Sequence, residues 1–198
     1  MNPDVGVSDV PSGRDEAVSD NLRSEHRRIL EVVGVLERIL DIGPSAWDLA
    51  ALDGCLEFFR LFTDACHHGK EEDVLFPELV NHGMPSHQGP IAVMLHEHRI
   101  GRALVARMGD GLESLRGESG AGADELETAG REYVELIRAH IMKEDHVLFE
   151  MADGLVRGPA CQRVCRTYHE ICSRRFDGRT HADLEALAER LLAAHPPD

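Results

Sequence analysis

The chain carries an internal repeat whose matching positions are mainly histidine and glutamate. The segment HHGKEEDVLF at residues 67–76 returns as HIMKEDHVLF at residues 140–149, with six of ten positions identical at an offset of 73. The triplet Glu-His-Arg at residues 25–27 returns at residues 97–99, at an offset of 72. Each half therefore holds one histidine followed, 41 or 42 residues later, by a His-x-x-x-Glu motif. This arrangement predicts two matched helical hairpins around a pseudo-twofold axis.

The apolar residues recur with a helical period through most of the chain, and strict alternation of apolar and polar residues is absent. The pattern predicts six helices, at about residues 17–41, 45–80, 90–116, 124–152, 159–176 and 181–194. Four long helices joined by short loops are typical of an antiparallel bundle. The predicted fold is therefore all-α, an up-down antiparallel four-helix bundle with two short additional C-terminal helices.

Composition divides the chain into three parts. Residues 1–16 are rich in Asp, Ser, Gly and Pro, and we expect a flexible tail there. Residues 17–153 form the predicted bundle, and residues 154–198 form a C-terminal helical extension packed on it. A chain of 198 residues fits one domain that buries roughly 70% of its unfolded surface.

Capping residues and helix breakers set the predicted helix ends. Ser45 and Thr180 are candidate N-caps, because a hydroxyl can accept a bond from a free N–H in the first turn. Pro77 is expected to kink or shorten the second helix, since it lacks a backbone N–H. The pair Asp153-Gly154 is expected to end the fourth helix.

The charge balance excludes some classes of partner. Against 36 Asp and Glu stand 21 Lys and Arg, a formal net charge of −15, which argues against nucleic-acid binding. The longest apolar run, at residues 91–95, is too short for a membrane span, and the N-terminus lacks the apolar stretch of a signal peptide. We therefore expect a cytoplasmic protein with reduced cysteines, without a membrane or nucleic-acid partner. The oligomeric state stays open.

Helical angles predict which ligand-type residues face the core. At about 100° per residue, His140 and Glu144 fall within the apolar stripe of the fourth helix that also contains Tyr133, Val147 and Met151. A buried glutamate is costly unless it is paired or binds metal. The same reasoning, which favours His67 over its neighbour His68, gives the inward-facing set His26, His67, Glu71, His98, His140 and Glu144.

Four imidazoles and two carboxylates suit a pair of borderline metal ions such as iron, manganese or zinc. The two glutamates can bridge the ions while two histidines bind each one, which leaves coordination positions open for reaction. The remaining polar residues of these motifs are predicted to be solvated flanks, with an outer supporting role or a role as alternative ligands left open; they are His68, Glu72, His96, Asp145 and His146.

The motifs at residues 67–77, 89–98 and 140–149 resemble the hemerythrin-like, HHE cation-binding family, and the resemblance covers about residues 18–152. It implies a four-helix up-down bundle with two iron ions in an oxo- or hydroxo-bridged, non-haem di-iron centre. Members bind dioxygen, sense oxygen or iron, bind nitric oxide, decompose peroxide or help repair iron centres. The six inward-facing residues look like the four-histidine, two-glutamate version of this centre.

The chain departs from the oxygen-carrying members in its third helix. Those members have a further histidine one turn from the third-helix ligand, where this chain has Met94 and Arg102. The departure favours an open metal site over oxygen storage. Tyr133 is a candidate catalytic residue that donates to a bound oxygen species or relays an electron, with core packing as the alternative. Arg102 is a candidate for attracting an anion or pairing with a ligand carboxylate, with an ordinary ion pair as the alternative.

Three cysteines and a histidine lie along one face of the fifth predicted helix: Cys161, Cys165, His169 and Cys172. Residues 161–172 rise about 16 Å as a helix, too far for all four side chains to share one ion. The face is interpreted mainly as packing surface. Redox-active thiols and a second metal site stay as alternatives.

The leading hypothesis is a di-iron protein that binds or reacts with dioxygen, hydrogen peroxide or nitric oxide in a stress response, with an unknown reductant. Peroxide decomposition of the catalase type or handling of nitric oxide are the enzyme activities considered. A non-enzymatic oxygen or iron sensor, or an iron-binding module, with residues 159–194 as its output surface is the alternative. A structural zinc site is a third hypothesis.

Overall fold

The computed structural model describes residues 17–117 and 121–197. The described part contains six long or medium helices: α1 (Asp20–Asp41), α2 (residues 49–81), α3 (Gly89–Arg116), α4 (residues 123–155), α5 (Pro159–Cys172) and α6 (His181–Ala194). This confirms the all-α class with two additional C-terminal helices. The tail predicted for residues 1–16 lies outside the described residues.

Helices α2 and α4 change their winding where they reach the repeated motif. The turn widens to a π-helix in three stretches, at Phe59–His68 and Glu71–Leu75 in α2 and at Glu144–Leu148 in α4. A π turn uses i→i+5 hydrogen bonds and so holds an extra residue. Each such turn rotates the following side chains relative to a regular α-helix.

Two apolar clusters lie above and below the repeated motifs. In α1, the buried residues from Ile29 to Leu40 belong to the first cluster, and Leu22 belongs to the second. This order reverses from each of the first four helices to the next, as an up-down-up-down bundle requires. The histidines and glutamates of the repeat come between the two clusters on all four helices. The polar centre is therefore enclosed by apolar side chains at both ends.

The C-terminal helices cover different parts of the bundle. Tyr168 and Val164 of α5 pack into the second cluster, whereas Leu184 and Leu191 of α6 pack into the first. Each of these side chains is buried, and full burial of such a side chain stabilises the fold by about 1.5–3 kcal/mol. The extension therefore contributes to the same core as the bundle.

Helix α2 begins later than predicted. Ser45 lies in a short 3₁₀ turn, Pro44–Ala46, and its side chain makes no capping bond. Asp48 is the N-cap, and its carboxylate accepts hydrogen bonds from the backbone N–H groups of Ala50 and Ala51. Pro77 neither ends nor shortens the helix, because it lies in the first turn of the closing α-helical stretch, Phe76–Asn81.

Two further helix ends differ from the prediction, and one agrees. Helix α4 runs through Asp153-Gly154 to Leu155; the Asp153 carboxylate accepts bonds from the N–H and hydroxyl of Ser19. Helix α5 stops at Cys172, before a tight turn paired between Phe176 and Arg179. Thr180 caps α6 as predicted, in a reciprocal capping box with Asp183. Among the described helices, none is long and apolar enough to cross a membrane.

Candidate metal centre

The structure brings the six predicted ligands together in the middle of the bundle. Helices α1 and α3 each contribute one histidine, and α2 and α4 each contribute a histidine and a glutamate four residues later. All six side chains are almost completely buried: His26, His67, Glu71, His98, His140 and Glu144. No sequence-predicted ligand is left outside the cluster.

The histidines form two facing pairs with the glutamates between them. The Nε2 atoms of His26 and His67 are 3.1 Å apart, and those of His98 and His140 are 3.2 Å apart. Glu144 Oε2 lies 3.2 Å from Nε2 of both His26 and His140, one member of each pair.

The second glutamate makes the corresponding link. Glu71 Oε1 lies 3.6 Å from His67 Nε2, and Glu71 Oε2 lies 3.5 Å from His98 Nε2. Each of the two carboxylates therefore lies close to one histidine of both pairs.

Two overlapping groups of ligand atoms result from this arrangement. One contains His26, His67, Glu71 and Glu144; the other contains His68, Glu71, His98 and His140. Within each group the ligand atoms lie within 4.8 Å of one another, and Glu71 belongs to both. The geometry fits two adjacent ions with a shared carboxylate.

A carboxylate holds the outer nitrogen of each of the four predicted ligand histidines. The Nδ1-to-oxygen distances are 2.8 Å for His26 to Asp145, 3.0 Å for His67 to Glu25, 2.7 Å for His98 to Glu72 and 3.1 Å for His140 to Glu97. Such bonds fix the tautomer and ring orientation of metal-binding histidines and raise their basicity. Each Nε2 is thereby left facing the centre.

The repeat in the sequence explains this outer ring. Glu25 and Glu97 precede the histidines of α1 and α3, and each reaches across to the histidine of the next helix. Lys70 and Lys143, also at matched positions, bind the other oxygens of Glu25 and Glu97. The two halves differ in exposure, because Lys70 is fully buried whereas the Lys143 side chain is 36% exposed.

The central carboxylates fit a metal better than they fit the protein alone. None of the four oxygens of Glu71 and Glu144 has a well-aligned hydrogen-bond donor among the described residues, and all four are buried. Burial raises the pKa of Glu71, and the nearby charge of Glu144 raises it further. Burial also acts to raise the pKa of Glu144, but His140 and His26 outweigh it and hold that pKa low. Two bound cations would satisfy these oxygens, so the residues present fit a metal pair.

His68 was predicted to be a solvated flank, and the structure contradicts this. It is only 6% exposed, its ring stacks on His98 with centroids 3.8 Å apart, and its Nδ1 lies 3.2 Å from Asp64 Oδ1. Its Nε2 is buried and has no hydrogen-bond partner within residues 17–117 and 121–197. The cluster therefore contains a fifth imidazole, supplied by α2 in place of the third-helix histidine that the sequence lacks.

The π-helical winding explains why His68 was missed. A uniform angle of about 100° per residue separates neighbouring side chains too far for His67 and His68 to share one site. The wide turn at Phe59–His68 brings both rings inward, toward different ion positions. The His-His dipeptide was the visible signal in the sequence, but a helical wheel drawn at a constant angle per residue places only one of the two histidines on the inward face.

The same effect corrects the stripe predicted at the end of α4. Val147 and Met151 were placed on the buried face, but they are 48% and 41% exposed. The π turn at Glu144–Leu148 shifts the register, so that Leu148 and Phe149 point into the core instead. The predicted helical angles identify the buried face of α4 correctly up to Glu144 and incorrectly after it.

The other predicted flanks divide into two kinds. Glu72 and Asp145 are half-buried and hold the rings of His98 and His26, so the alternative of an outer supporting role describes them better. His96 and His146 are exposed, as predicted.

Arg102 does not pair with a ligand carboxylate. Its Nε donates to Asp64 Oδ1 at 2.7 Å and its Nη2 donates to Glu72 Oε1 at 2.8 Å. Those two carboxylates also contact His68 and His98. Arg102 is therefore placed as a positioning residue that orients the carboxylates behind two imidazoles.

A cavity of about 140 Å³ leads to one side of the cluster. His68, His98 and His140 form its polar end, Tyr133 and Arg102 line it further out, and most of its remaining wall is apolar. Tyr133 is buried against the ring of Phe59, and burial raises the pKa of its phenol, which stays neutral. The cavity is large enough for a diatomic molecule or a peroxide.

The fold and the site together define the class of this protein, a metal-binding four-helix bundle. The family model of the hemerythrin HHE cation binding domain matches residues 17–152. The chain therefore belongs to this family, which confirms the resemblance that its motifs suggested. No curated protein and no solved structure matches the chain.

Proposed function

We propose that the protein binds two iron ions in this centre and uses them to react with a small oxidant, hydrogen peroxide in the first place. The carrying observation is the pair of overlapping ligand groups that share Glu71, one of which lines the cavity with His68, His98 and His140. His26, His67 and the two glutamates would hold one ion. His98, His140, His68 and Glu71 would hold the other.

Bound iron would supply the electron transfer that protein side chains alone do not provide. The protein's own contribution is to orient the ligand side chains and to exclude water. Carboxylates behind four rings keep Nε2 turned inward, and the apolar wall of the cavity limits water at the histidine end. Tyr133, a neutral phenol in that wall, is a candidate source of one electron and one proton.

Reversible dioxygen binding is the second candidate, and one observation favours it. The sequence argument against oxygen storage was the absence of a fifth histidine near His98, and His68 stacks on that ring. A fifth imidazole leaves fewer open coordination positions than the predicted six-ligand site. The two candidates differ in what happens after the oxidant has bound.

Metal analysis of natively expressed protein, followed by oxidant tests on the reduced form, separates the candidates. We expect about two iron ions per chain, near-ultraviolet charge-transfer absorption and steady peroxide consumption. One zinc ion and no iron would contradict the di-iron proposal. A slowly autoxidising dioxygen complex without peroxide turnover would favour oxygen carriage.

Tyr133→Phe tests the part assigned to the phenol. The variant should keep its iron, because Tyr133 is outside both ligand groups, while peroxide turnover or a tyrosyl radical signal changes. Phe59→Leu, which alters the same wall without removing a phenol, is the matched control. Equal effects of the two variants would show that Tyr133 only shapes the cavity.

A further inference from the structure

A second group of reactive side chains lies where the C-terminal extension covers α1 and α2. It consists of Glu25, Cys66, Cys172 and His181, whose ligand-type atoms lie within 4.8 Å of one another. Cys66 is fully buried on α2, and Cys172 is half-buried at the last residue of α5. The group is separate from the two ligand groups of the metal centre, with which it shares no residue.

A lysine already supplies the positive charge at this place. Lys70 is fully buried, and its ammonium donates hydrogen bonds to Glu25 and to Asn21 Oδ1 at 2.7 Å. Its positive charge also acts on the Cys172 thiol, whose pKa it helps to lower. A divalent cation among these four side chains would stand beside that ammonium at high electrostatic cost. The composition favours thiol chemistry over a further metal site.

The two sulfurs are in different states. The ligand-type atoms of Cys66 and Cys172 lie within 4.8 Å of each other, and the neighbouring Cys66 thiol and Lys70 ammonium lower the pKa of Cys172 to about 6 against the effect of burial. A cysteine of this kind is a thiolate at neutral pH, the form that attacks an oxidant. Cys172 also has the partial exposure that an entering molecule needs.

We propose that Cys172 and Cys66 are a redox-active pair, in which Cys172 is oxidised by a hydroperoxide and Cys66 resolves the product as a disulfide. The Cys172 thiolate attacks one peroxide oxygen, the O–O bond breaks, and the leaving oxygen departs as hydroxide or alkoxide and takes up the proton that Cys172 had lost. The Cys66 thiol then attacks the sulfenic acid, a sulfur–sulfur bond forms and water leaves. Two thiols and one hydroperoxide give one disulfide, one alcohol or water, and one further water.

This site lies between the extension and the bundle, and none of its residues belongs to the two ligand groups of the metal centre. In the other half of the bundle the position matched to Cys66 is Ala139, and Lys143 is partly exposed. The disulfide would join α5 to α2 next to Glu25, which also holds the ring of the candidate ligand His67. Oxidation therefore locks the extension onto the bundle beside the metal centre.

Peptide mapping after oxidation tests the pair. The full-length, metal-loaded protein is treated with a stoichiometric amount of hydrogen peroxide, denatured, alkylated and digested, and the alkylated thiols are counted. We expect two of the five thiols to be lost, with a peptide cross-linked through Cys66 and Cys172 and lighter by two hydrogen atoms. Dithiothreitol should restore both thiols.

Three variants make the result specific. Cys172→Ser should abolish the cross-link, and Cys66→Ser should stop at a Cys172 sulfenic acid that dimedone traps. Cys165→Ser, a half-buried position two turns earlier on α5, is the matched control and should leave the cross-link intact. The mapping is repeated on metal-free protein, in which no iron centre competes for the peroxide, so the cross-link can form or fail independently of the di-iron proposal.

Three outcomes would overturn the proposal. The first is full retention of both thiols under peroxide. The second is a cross-link between Cys161 and Cys165, whose sulfurs are 3.8 Å apart, in place of the proposed one. The third is stoichiometric zinc that is lost in Cys172→Ser and protects both thiols, which would make the group a metal site.

Discussion

At the scale of single residues, the centre is a set of polar groups whose burial is explained only when they act together. Burying a carboxylate without a donor costs several kcal/mol, and Glu71 and Glu144 are both buried in this way. Burial lowers the pKa of His67 to about 4, which keeps its imidazole neutral and its lone pair available. The carboxylates of Glu144 and Glu97 instead raise the pKa of His140 to about 9 against the effect of burial, so metal binding there would displace a proton.

His68→Leu should weaken metal binding at one of the two positions. The substitution removes the imidazole that stacks on His98 while keeping an apolar volume in the bundle. We expect metal stoichiometry to fall toward one ion per chain, or the weaker affinity to drop by 10-fold or more, about the effect of losing a supporting group. Titration with optical detection measures it.

The exposed His96 on α3 provides the control, since it is outside both ligand groups. His96→Leu should bind metal as the wild type does. If His68→Leu also retained full stoichiometry and affinity, His68 would be a stacking residue and not a ligand.

Glu71→Gln should have opposite consequences in the metal-free and metal-loaded protein. Without metal, the raised pKa of Glu71 favours its neutral carboxyl, which glutamine mimics, so the free energy of unfolding should stay within about 1 kcal/mol of wild type or rise. With metal, the stabilisation by binding, about 4 kcal/mol at a thousandfold excess over Kd, should be largely lost. Thermal unfolding with and without added metal gives both values.

Glu72→Gln is the matched variant, since Glu72 touches His98 from outside the cluster. It should reduce metal-linked stabilisation by less than Glu71→Gln does. Equal losses from the two variants would show that Glu71 acts only by holding a ring.

At the scale of helices, winding and close contact decide what each element can do. The π turns of α2 and α4 carry the ligands, and they cost regular hydrogen bonding that the packed core around them must offset. Elsewhere the helices approach closely through small residues. A Cβ added at Gly130 of α4 would stand 2.8 Å from Leu40 Cδ1, so α1 and α4 depend on a glycine there.

Gly130→Ala should therefore destabilise the fold. The added methyl group must displace the end of the buried Leu40 side chain, at a cost of about 1–3 kcal/mol for overpacking. Gly109→Ala on α3 is the control, because a Cβ there meets no atom within 4 Å. That variant should be neutral or stabilising by up to about 1 kcal/mol.

Urea denaturation of both variants measures the difference. Equal stability of Gly130→Ala and the wild type would mean that α1 and α4 can separate slightly without cost. In that case the close approach would not be a constraint on the bundle.

At the scale of the whole molecule, the two repeat halves are symmetric in their ligands and asymmetric in their surroundings. The cavity opens on the side of His68, His98 and His140, whereas α5 and α6 cover the side of Glu25 and Lys70. One half therefore has a cavity that leads to its ligands, and the other is covered by the extension. The proposed thiol pair lies in that covered half, where Cys172 keeps partial exposure at its edge.

Leu184→Ala should show that the extension is part of the folding unit. Leu184 of α6 is completely buried in the first apolar cluster, and truncation of such a side chain costs about 2–5 kcal/mol. Unfolding followed by circular dichroism should remain a single transition with a lower midpoint. Leu155→Ala, at an exposed residue, should change stability by less than about 0.5 kcal/mol.

A separate early transition for the extension would contradict this expectation. The main transition would then keep its midpoint in Leu184→Ala. The bundle would have to be regarded as stable without α5 and α6.

The sequence alone determined the fold class and the identity of six side chains at the centre. Apolar periodicity predicts helices because burial of one face is local information, and the duplicated motifs placed His26, His98 and both His-x-x-x-Glu pairs on inward faces. The sequence also predicted the helix start at Thr180, where a side chain caps its own helix. The prediction failed at Ser45, because the Asp48 carboxylate three residues later accepts the capping hydrogen bonds instead.

Only the tertiary structure decided what depends on winding and on contacts between distant segments. The inward position of His68 and the register after Glu144 follow from π turns, which no constant angle per residue predicts. The bonds from Glu72 to Arg102 and from Lys70 to Glu25 join residues 30 and 45 positions apart. The meeting of Cys66 with Cys172 likewise requires α5 to fold back onto α2, because a sequence records neighbours along the chain and not neighbours in space.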